Sequence, residues 1–323
     1  MMNRKKLLLF FLWLIGAAGM LCAQETSCPK PPSSMTVESY QGEKLVIQLH
    51  EDTSELNCTA PAEATTDIYV TNSELSNNQE ILQPFSAQTA HNRDTSIFQV
   101  DDRRIVLLYL RDASDKWHQC SGALVGPSAV LTAAHCVFSD GKSIEPSNIV
   151  ALPGGASGGL QAKAVNYWYS SLVETTRIGP ILANNDWAII KLDKPLGNEV
   201  GYFGVSSPVL RVGGHVFIKA FPGNQNRDKP WYSEGVILGE HYPTLPHQIL
   251  AAFFTPFMPQ SCMVMGFSFR HTAFTEEGSS GSPIFLKKDP DHIIAVSSGG
   301  SMLEGSVGTR GAMVEMVRQF RNK

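Results

Sequence analysis

The sequence predicts an all-β protein with a C-terminal helix and an N-terminal extension, and three observations predict it. Beyond Asp94 the 323-residue chain breaks into short β-branched and aromatic runs separated by Gly, Pro, Asn and Asp, the texture of a barrel or sandwich. No regular alternation of strand and helix patterns is visible, which argues against an α/β architecture. Only the tail, Gly311 to Arg321, spaces its apolar residues for a helix, with Met313, Met316, Val317 and Phe320 on one side.

The elements follow in order. Residues 1–23 pair a basic start, Arg4-Lys-Lys6, with an apolar run from Leu7 to Met20 and small residues up to Ala23, the layout of a secretory signal peptide. The run falls short of the roughly 20 apolar residues a spanning helix needs. Leu21 before Cys22 is too large for lipoprotein processing. The mature chain is therefore expected to begin near Gln24, to be secreted or periplasmic, and to have no stable membrane association after signal removal.

Residues 24–95 form an N-terminal extension or pro-segment rich in Ser, Thr, Asn, Glu and Pro, with strand-like pieces at Lys44–Leu49 and Asp67–Val70. Asn57-Cys58-Thr59 matches a glycosylation acceptor, which matters only in a eukaryotic secretory route. Strands are expected at Ile105–Leu110, Ala188–Leu192, His215–Ala220, Ile284–Leu286 and His292–Ser297. With 43% hydrophobic residues the chain can bury one large core or two small ones.

A net charge of -4 supplies no basic field for nucleic acid, and that partner class is excluded. Of six cysteines, five remain once the leader is gone: Cys28, Cys58, Cys120, Cys136 and Cys262. Cys120 and Cys136 bracket the strand and turn that carry His135 and are expected to form a disulfide in an oxidising compartment. The pairing of Cys28, Cys58 and Cys262 stays open, with Cys28 and Cys58 the favoured pair. No His-Glu-x-x-His or Cys-x-x-Cys occurs, so no metal and no cofactor are expected.

Chemistry concentrates in three places: Ala-Ala-His135-Cys136 at the end of an apolar strand, Asp186-Trp-Ala-Ile-Ile ahead of another, and Glu277-Gly-Ser-Ser280-Gly-Ser-Pro283 in a glycine-rich turn. A serine hydroxyl is a weak nucleophile until an imidazole takes its proton and a carboxylate holds that imidazole in the right tautomer. These stretches supply one of each group. The glycine two residues before Ser280 allows the backbone N–H groups of Gly278 and Ser280 to point at one spot, as an oxyanion hole requires.

These motifs, in the order His, Asp, Ser and at separations of 51 and 94 residues, resemble the chymotrypsin-like (trypsin-fold) serine proteases. Gly-Ser-Pro after the nucleophile, Phe221-Pro-Gly-Asn, Trp231-Tyr-Ser-Glu-Gly235 and Asp101-Asp-Arg103 are closest in style to the bacterial glutamyl endopeptidases. The resemblance implies two six-stranded antiparallel β-barrels, residues 96–206 carrying His135 and Asp186 and residues 207–323 carrying Ser280. It implies a secreted serine endopeptidase acting on protein or peptide substrates through an acyl-enzyme, with substrate extended along Val296–Gly300 and contacting Thr275, Ser297, Ser298 and Gly299.

Two positions depart from family patterns. Ser279 replaces the aspartate that in digestive trypsins binds a new N-terminus. Phe274 replaces the basic-specific aspartate six residues before the nucleophile, which argues against preference for Lys or Arg. Thr275 matches the threonine used by glutamyl endopeptidases, but Ser297 stands where their histidine falls, so cleavage preference and oligomeric state are left open. The alternative function is a catalytically inactive homologue serving as a binding or adhesion module. An α/β-hydrolase is disfavoured, since Ser282 occupies the last glycine position of its nucleophile elbow.

Overall fold

The computed structural model describes residues 34–48, 55–56, 97–139, 142–170, 186–208, 210–241, 267–298, 306–308 and 312–321. The leader, Asp67–Val70, Cys28, Cys58, Cys262 and Gly299 lie outside the described residues.

Along the chain run β1 Ser34–Ser39, β2 Lys44–Gln48, β3 Glu55–Leu56, β4 Phe98–Gln99, β5 Ile105–Arg111, β6 Trp117–Gly126 and β7 Ala129–Thr132. A single helical turn, α1 Ala134–Val137, leads to the small pair β8 Phe138–Ser139 and β9 Lys142–Ser143. Next come β10 Ile149–Pro153, β11 Ala162–Ser170, β12 Ala188–Leu192, the short α2 Gly197–Val200 and β13 Gly204–Ser206. The rest is β14 His215–Ala220, β15 Trp231–His241, β16 Phe267–His271, β17 Pro283–Leu286, β18 Asp289–Ser297, β19 Ser306–Gly308 and α3 Ala312–Phe320.

Six strands in the order β10-β5-β6-β7-β12-β11 close into an antiparallel barrel through the β10–β11 pairing. Six more, β17-β14-β15-β16-β19-β18, close through β17–β18. Closure leaves neither barrel an open edge. The strands expected beyond Asp94 and the tail helix are all present, each within a residue or a few of its sequence-based bounds.

Each barrel has its own apolar interior. Val106, Leu108, Leu124, Val130 and Ile190 fill the first, and Val216, Ile218, Phe269, Ile284 and Ala295 the second. A third cluster lies between them: Leu107, Leu131, Trp187 and Ile189 from the first barrel meet Phe217, Phe285, Ile293 and Val296 from the second. Here α3 seals the contact with Met313, Val314, Met316, Val317 and Phe320, all buried. Because alternate residues of a strand face opposite sides, β5 serves two cores at once, Val106 and Leu108 inward and Ile105 and Leu107 toward the neighbouring barrel.

Two details differ from the sequence-based division. Strand β13, inside the expected first-barrel segment 96–206, pairs in parallel with β18 and belongs to the second sheet, as does β4, which pairs with β15. The reason is the shared core: Phe203 packs on Phe285 at 4.9 Å and Val205 is fully buried, so the chain has already crossed by residue 203. The extension is also part of the body. Strand β1 pairs with β11 in the first sheet, β3 pairs with β13 in the second, and Val37 and Ile47 are fully buried in the shared core.

Candidate active site

His135 sits in α1, immediately after the buried strand β7. Cys136 beside it is disulfide-bonded to Cys120 of β6, as the sequence led us to expect, so the turn bearing the histidine is tied to the adjacent strand. A loop of this length, 16 residues, is worth about 3 kcal/mol in a chain-entropy account.

Asp186 is held from the other side. Trp187 next to it is 2% exposed in the shared core, which fixes the carboxylate at the head of β12. Asp186 Oδ2 lies 2.6 Å from His135 Nδ1, and its Oδ1 accepts the His135 backbone N–H at 2.8 Å. An ionised carboxylate only accepts, so Nδ1 carries the hydrogen and Nε2 is left with a free lone pair. The carboxylate is buried while 39% of the histidine side chain is exposed. Burial alone would depress the imidazole, but the charge and hydrogen bond of Asp186 outweigh it and raise its pKa above the usual histidine value.

Ser280 lies in a turn whose shape needs glycine on both sides. Gly278 and Gly281 have φ of +89° and +80°, the left-handed region. There is also no room for a side chain: a Cβ on Gly281 would collide with Thr132 Oγ1 and the Ser121 carbonyl, and one on Gly278 with the Phe221 carbonyl. The turn is thus pressed against the first barrel. The Ser280 carbonyl accepts the Ser121 N–H at 2.8 Å and lies 3.7 Å from Cys136 Sγ, the neighbour of His135. The Ser280 hydroxyl makes no hydrogen bond to the imidazole among the described residues. Neither the Gly278 N–H nor the Ser280 N–H has an acceptor among them.

The remaining predicted residues are placed as follows. Thr275 is 4% exposed, in the same loop as the serine turn. Phe274 donates its N–H to Ser233 Oγ at 2.7 Å. Ser279 is buried, its N–H bonded to the Glu276 carbonyl and its hydroxyl accepting the Glu276 N–H. Ser297 is bonded to the strand that leaves the serine turn. Its N–H donates to Ser282 O at 2.9 Å and its carbonyl accepts from Gly281 at 2.7 Å, while Val296 pairs with both Pro283 and Val307. The Ser297 N–H is thus committed inside the barrel, while its carbonyl, with two lone pairs, keeps capacity for a second donor.

Cys120, His135 and Cys136 place potential metal ligands within 4.8 Å of one another, but both sulfurs are joined in the disulfide and offer no thiolate. Sequence reasoning missed Ser121, whose hydroxyl accepts the Phe221 N–H and donates to the Gly278 carbonyl, both at 2.8 Å. The available signal was a serine in the buried run Cys-Ser121-Gly-Ala-Leu-Val.

Two closed six-stranded barrels, with a histidine–aspartate pair in one and a glycine-flanked serine turn of the other packed beside it, define the chymotrypsin-like serine protease fold. The chain belongs to the trypsin family, whose profile matches residues 95–320, more than half of its length. It is 31% identical over 124 residues to a glutamyl endopeptidase of Bacillus licheniformis, covering 36% of this chain and 37% of that protein. It is 31% identical over 170 residues to a Bacillus subtilis protein named extracellular metalloprotease, covering 46% and 51%. The matches therefore span about a third to a half of the curated relatives. Among solved structures, a Glu endopeptidase in complex with MPD superimposes with a TM-score of 0.53 at 18% identity, over 71% of this chain and 98% of that one. A scabies mite inactivated protease paralogue gives 0.50 at 17% identity, over 71% and 99%. At such identities these two share the fold alone.

Proposed function

We propose that the protein is a serine endopeptidase that hydrolyses peptide bonds through an acyl-enzyme. The observation that carries this reading is the His135–Asp186 pair, which commits Nδ1 and leaves Nε2 available as a base, with the Ser280 carbonyl 3.7 Å from Sγ of the adjacent Cys136. Ser280 Oγ attacks the scissile carbonyl carbon while His135 Nε2 takes its proton. The oxyanion forms beside the free N–H groups of Gly278 and Ser280. Collapse expels the amine, which receives the proton from His135, and a water then repeats the sequence to release the acid and restore Ser280.

Export to an oxidising compartment is part of the proposal, supported by the leader-like start and the Cys120–Cys136 bridge. No helix among the described residues is long and apolar enough to cross a membrane. The name of the Bacillus subtilis relative mentions a metal, but the Cys120, His135 and Cys136 group found among the described residues has both sulfurs in a disulfide, and the proposed mechanism uses no metal. Phe274 in place of an acidic residue disfavours basic substrates, and a role for Thr275 in recognising the substrate side chain stays part of the proposal.

A second reading, a catalytically silent binding module, draws on one observation: the Ser280 hydroxyl is not hydrogen-bonded to His135. Such contacts often tighten only when substrate is bound. Assay of a peptide library with wild-type protein and Ser280→Ala separates the two. The protease reading expects cleavage by wild type and a loss of about 10³-fold or more in the variant; equal turnover, or none in either, refutes it.

A further inference from the structure

On the protease reading, the oxyanion donors must be held still, and the fold contains a specific device for this. Alternation along β6 turns Gln119, Ser121, Ala123 and Val125 to one side, and Ala123 and Val125 lie in the core shared by the barrels. Ser121 therefore points out of the first barrel toward the second. It is fully buried.

Its polar groups are all engaged around the serine turn. The hydroxyl donates to the Gly278 carbonyl at 2.8 Å and accepts the Phe221 N–H at 2.8 Å. The backbone N–H donates to the Ser280 carbonyl at 2.8 Å. The backbone carbonyl accepts Thr132 Oγ1 at 2.8 Å, which fixes Ser121 within its own barrel. Thus one residue of the first barrel holds the carbonyls of Gly278 and Ser280, whose own N–H groups have no acceptor among the described residues, and ties them to Phe221 just after β14. Gln119, two residues earlier on the same face, adds a 2.6 Å bond from Nε2 to the Phe221 carbonyl.

We infer that Ser121 is a positioning residue for the oxyanion site: its hydroxyl and backbone N–H anchor the Gly278–Ser279 and Ser280–Gly281 peptides by their carbonyls, and so hold from the far side of the barrel seam the turn whose adjoining peptides carry the Gly278 and Ser280 N–H groups. It touches no reacting atom. Its effect falls on the transition state, because substrate binding in the ground state does not require both N–H groups to converge. The hydroxyl is the part that can be removed by mutation, and its loss leaves the Gly278 carbonyl and the Phe221 N–H without partners.

The test compares wild type, Ser121→Ala and Ser121→Thr, measuring kcat and KM on a peptide substrate, affinity for a peptide boronate that mimics the tetrahedral intermediate, and thermal melting. The expected result for Ser121→Ala is a kcat at least about 10-fold lower with KM changed less than about 2-fold, and boronate affinity falling in parallel with kcat. Ser121→Thr, which keeps the hydroxyl, is expected to recover most of both. If Ser121→Ala does not fold, Ser121→Gly leaves space for water between the orphaned groups and carries the same expectation. Unchanged kcat and boronate affinity in a folded variant, or a rise in KM alone, overturns the inference. Absence of Ser280-dependent hydrolysis in wild type would instead overturn the protease reading.

Discussion

A carboxylate that accepts from both the ring and the backbone of one histidine leaves that histidine a single useful tautomer. The same carboxylate raises the imidazole's pKa, so His135 holds its proton to a higher pH than a free histidine does. A general base must be neutral to work, and activity should therefore climb with pH along a limb centred above about 6.5. Asp186→Asn is expected to lower kcat by about 10³- to 10⁴-fold and to move that limb to lower pH, because the negative charge that holds the proton is gone. A pH profile of kcat/KM checks both; an unshifted limb would count against the pairing. At this scale the His135–Asp186 pair was legible because each residue stands in a distinctive local sequence. Ser121 was not, since its partners are 100 and more residues away in the other barrel. The bonds of Ser297 to Ser282 and Gly281 were not legible either, since they are decided only by the closure of β17 on β18.

At the scale of elements, the seam between barrels carries a buried ionic cluster. Asp102, just before β5, accepts Lys219 Nζ of β14 at 2.6 Å and Arg104 Nε at 3.0 Å, and Arg104 reaches Asp291 at 2.9 Å. Both Asp102 and Lys219 are buried, and the Arg104 guanidinium lies 4.0 Å over the Phe203 ring. Burial would push the Asp102 carboxyl up, but the two cations hold it down at about 2. Its folded pKa is depressed, so the stability it adds is present above the ordinary value of 3.8, is lost as pH falls toward 2, and amounts to about 2 kcal/mol. Lys219→Met removes one cation and leaves the carboxylate with Arg104. It is expected to cost about 3 kcal/mol at neutral pH and to shift the acid loss to higher pH. Urea unfolding at several pH values measures this, and a variant with wild-type pH dependence would contradict it. Barrel strands β5, β12, β14, β17 and β18 were legible from their apolar, mostly β-branched runs. Lys219 was hidden within such a run, and β3 and β4, two residues each, are too short to carry a period.

For the whole molecule, the question is what the N-terminal extension does. Sequence composition marked it as a loosely built segment that could be removed. Yet β1 and β2 add a hairpin to the first sheet, β3 joins the second, and Val37 and Ile47 contribute to the core that α3 closes. The extension thus binds both barrels at a place remote in sequence from the serine turn. Ile47→Ala should destabilise the protein by about 2 to 5 kcal/mol, the range for a truncated core aliphatic. A cut near residue 95 should leave the upstream fragment attached, so the two pieces are expected to elute together in gel filtration under native conditions and to separate in denaturant. Release of the fragment without denaturant would show that the extension is a dispensable pro-segment. Composition could not reveal this, because two buried aliphatics among many polar residues decide it.

The central claim is that a base in one barrel acts on a hydroxyl in the other. Its most direct test is reaction with a peptidyl organophosphonate, followed by mass spectrometric location of the adduct in wild type and His135→Ala. The account predicts stoichiometric modification on Ser280 in wild type and a reaction slower by several orders of magnitude in the variant. An adduct on another residue, or equal labelling of Ser280 with and without the imidazole, would contradict it.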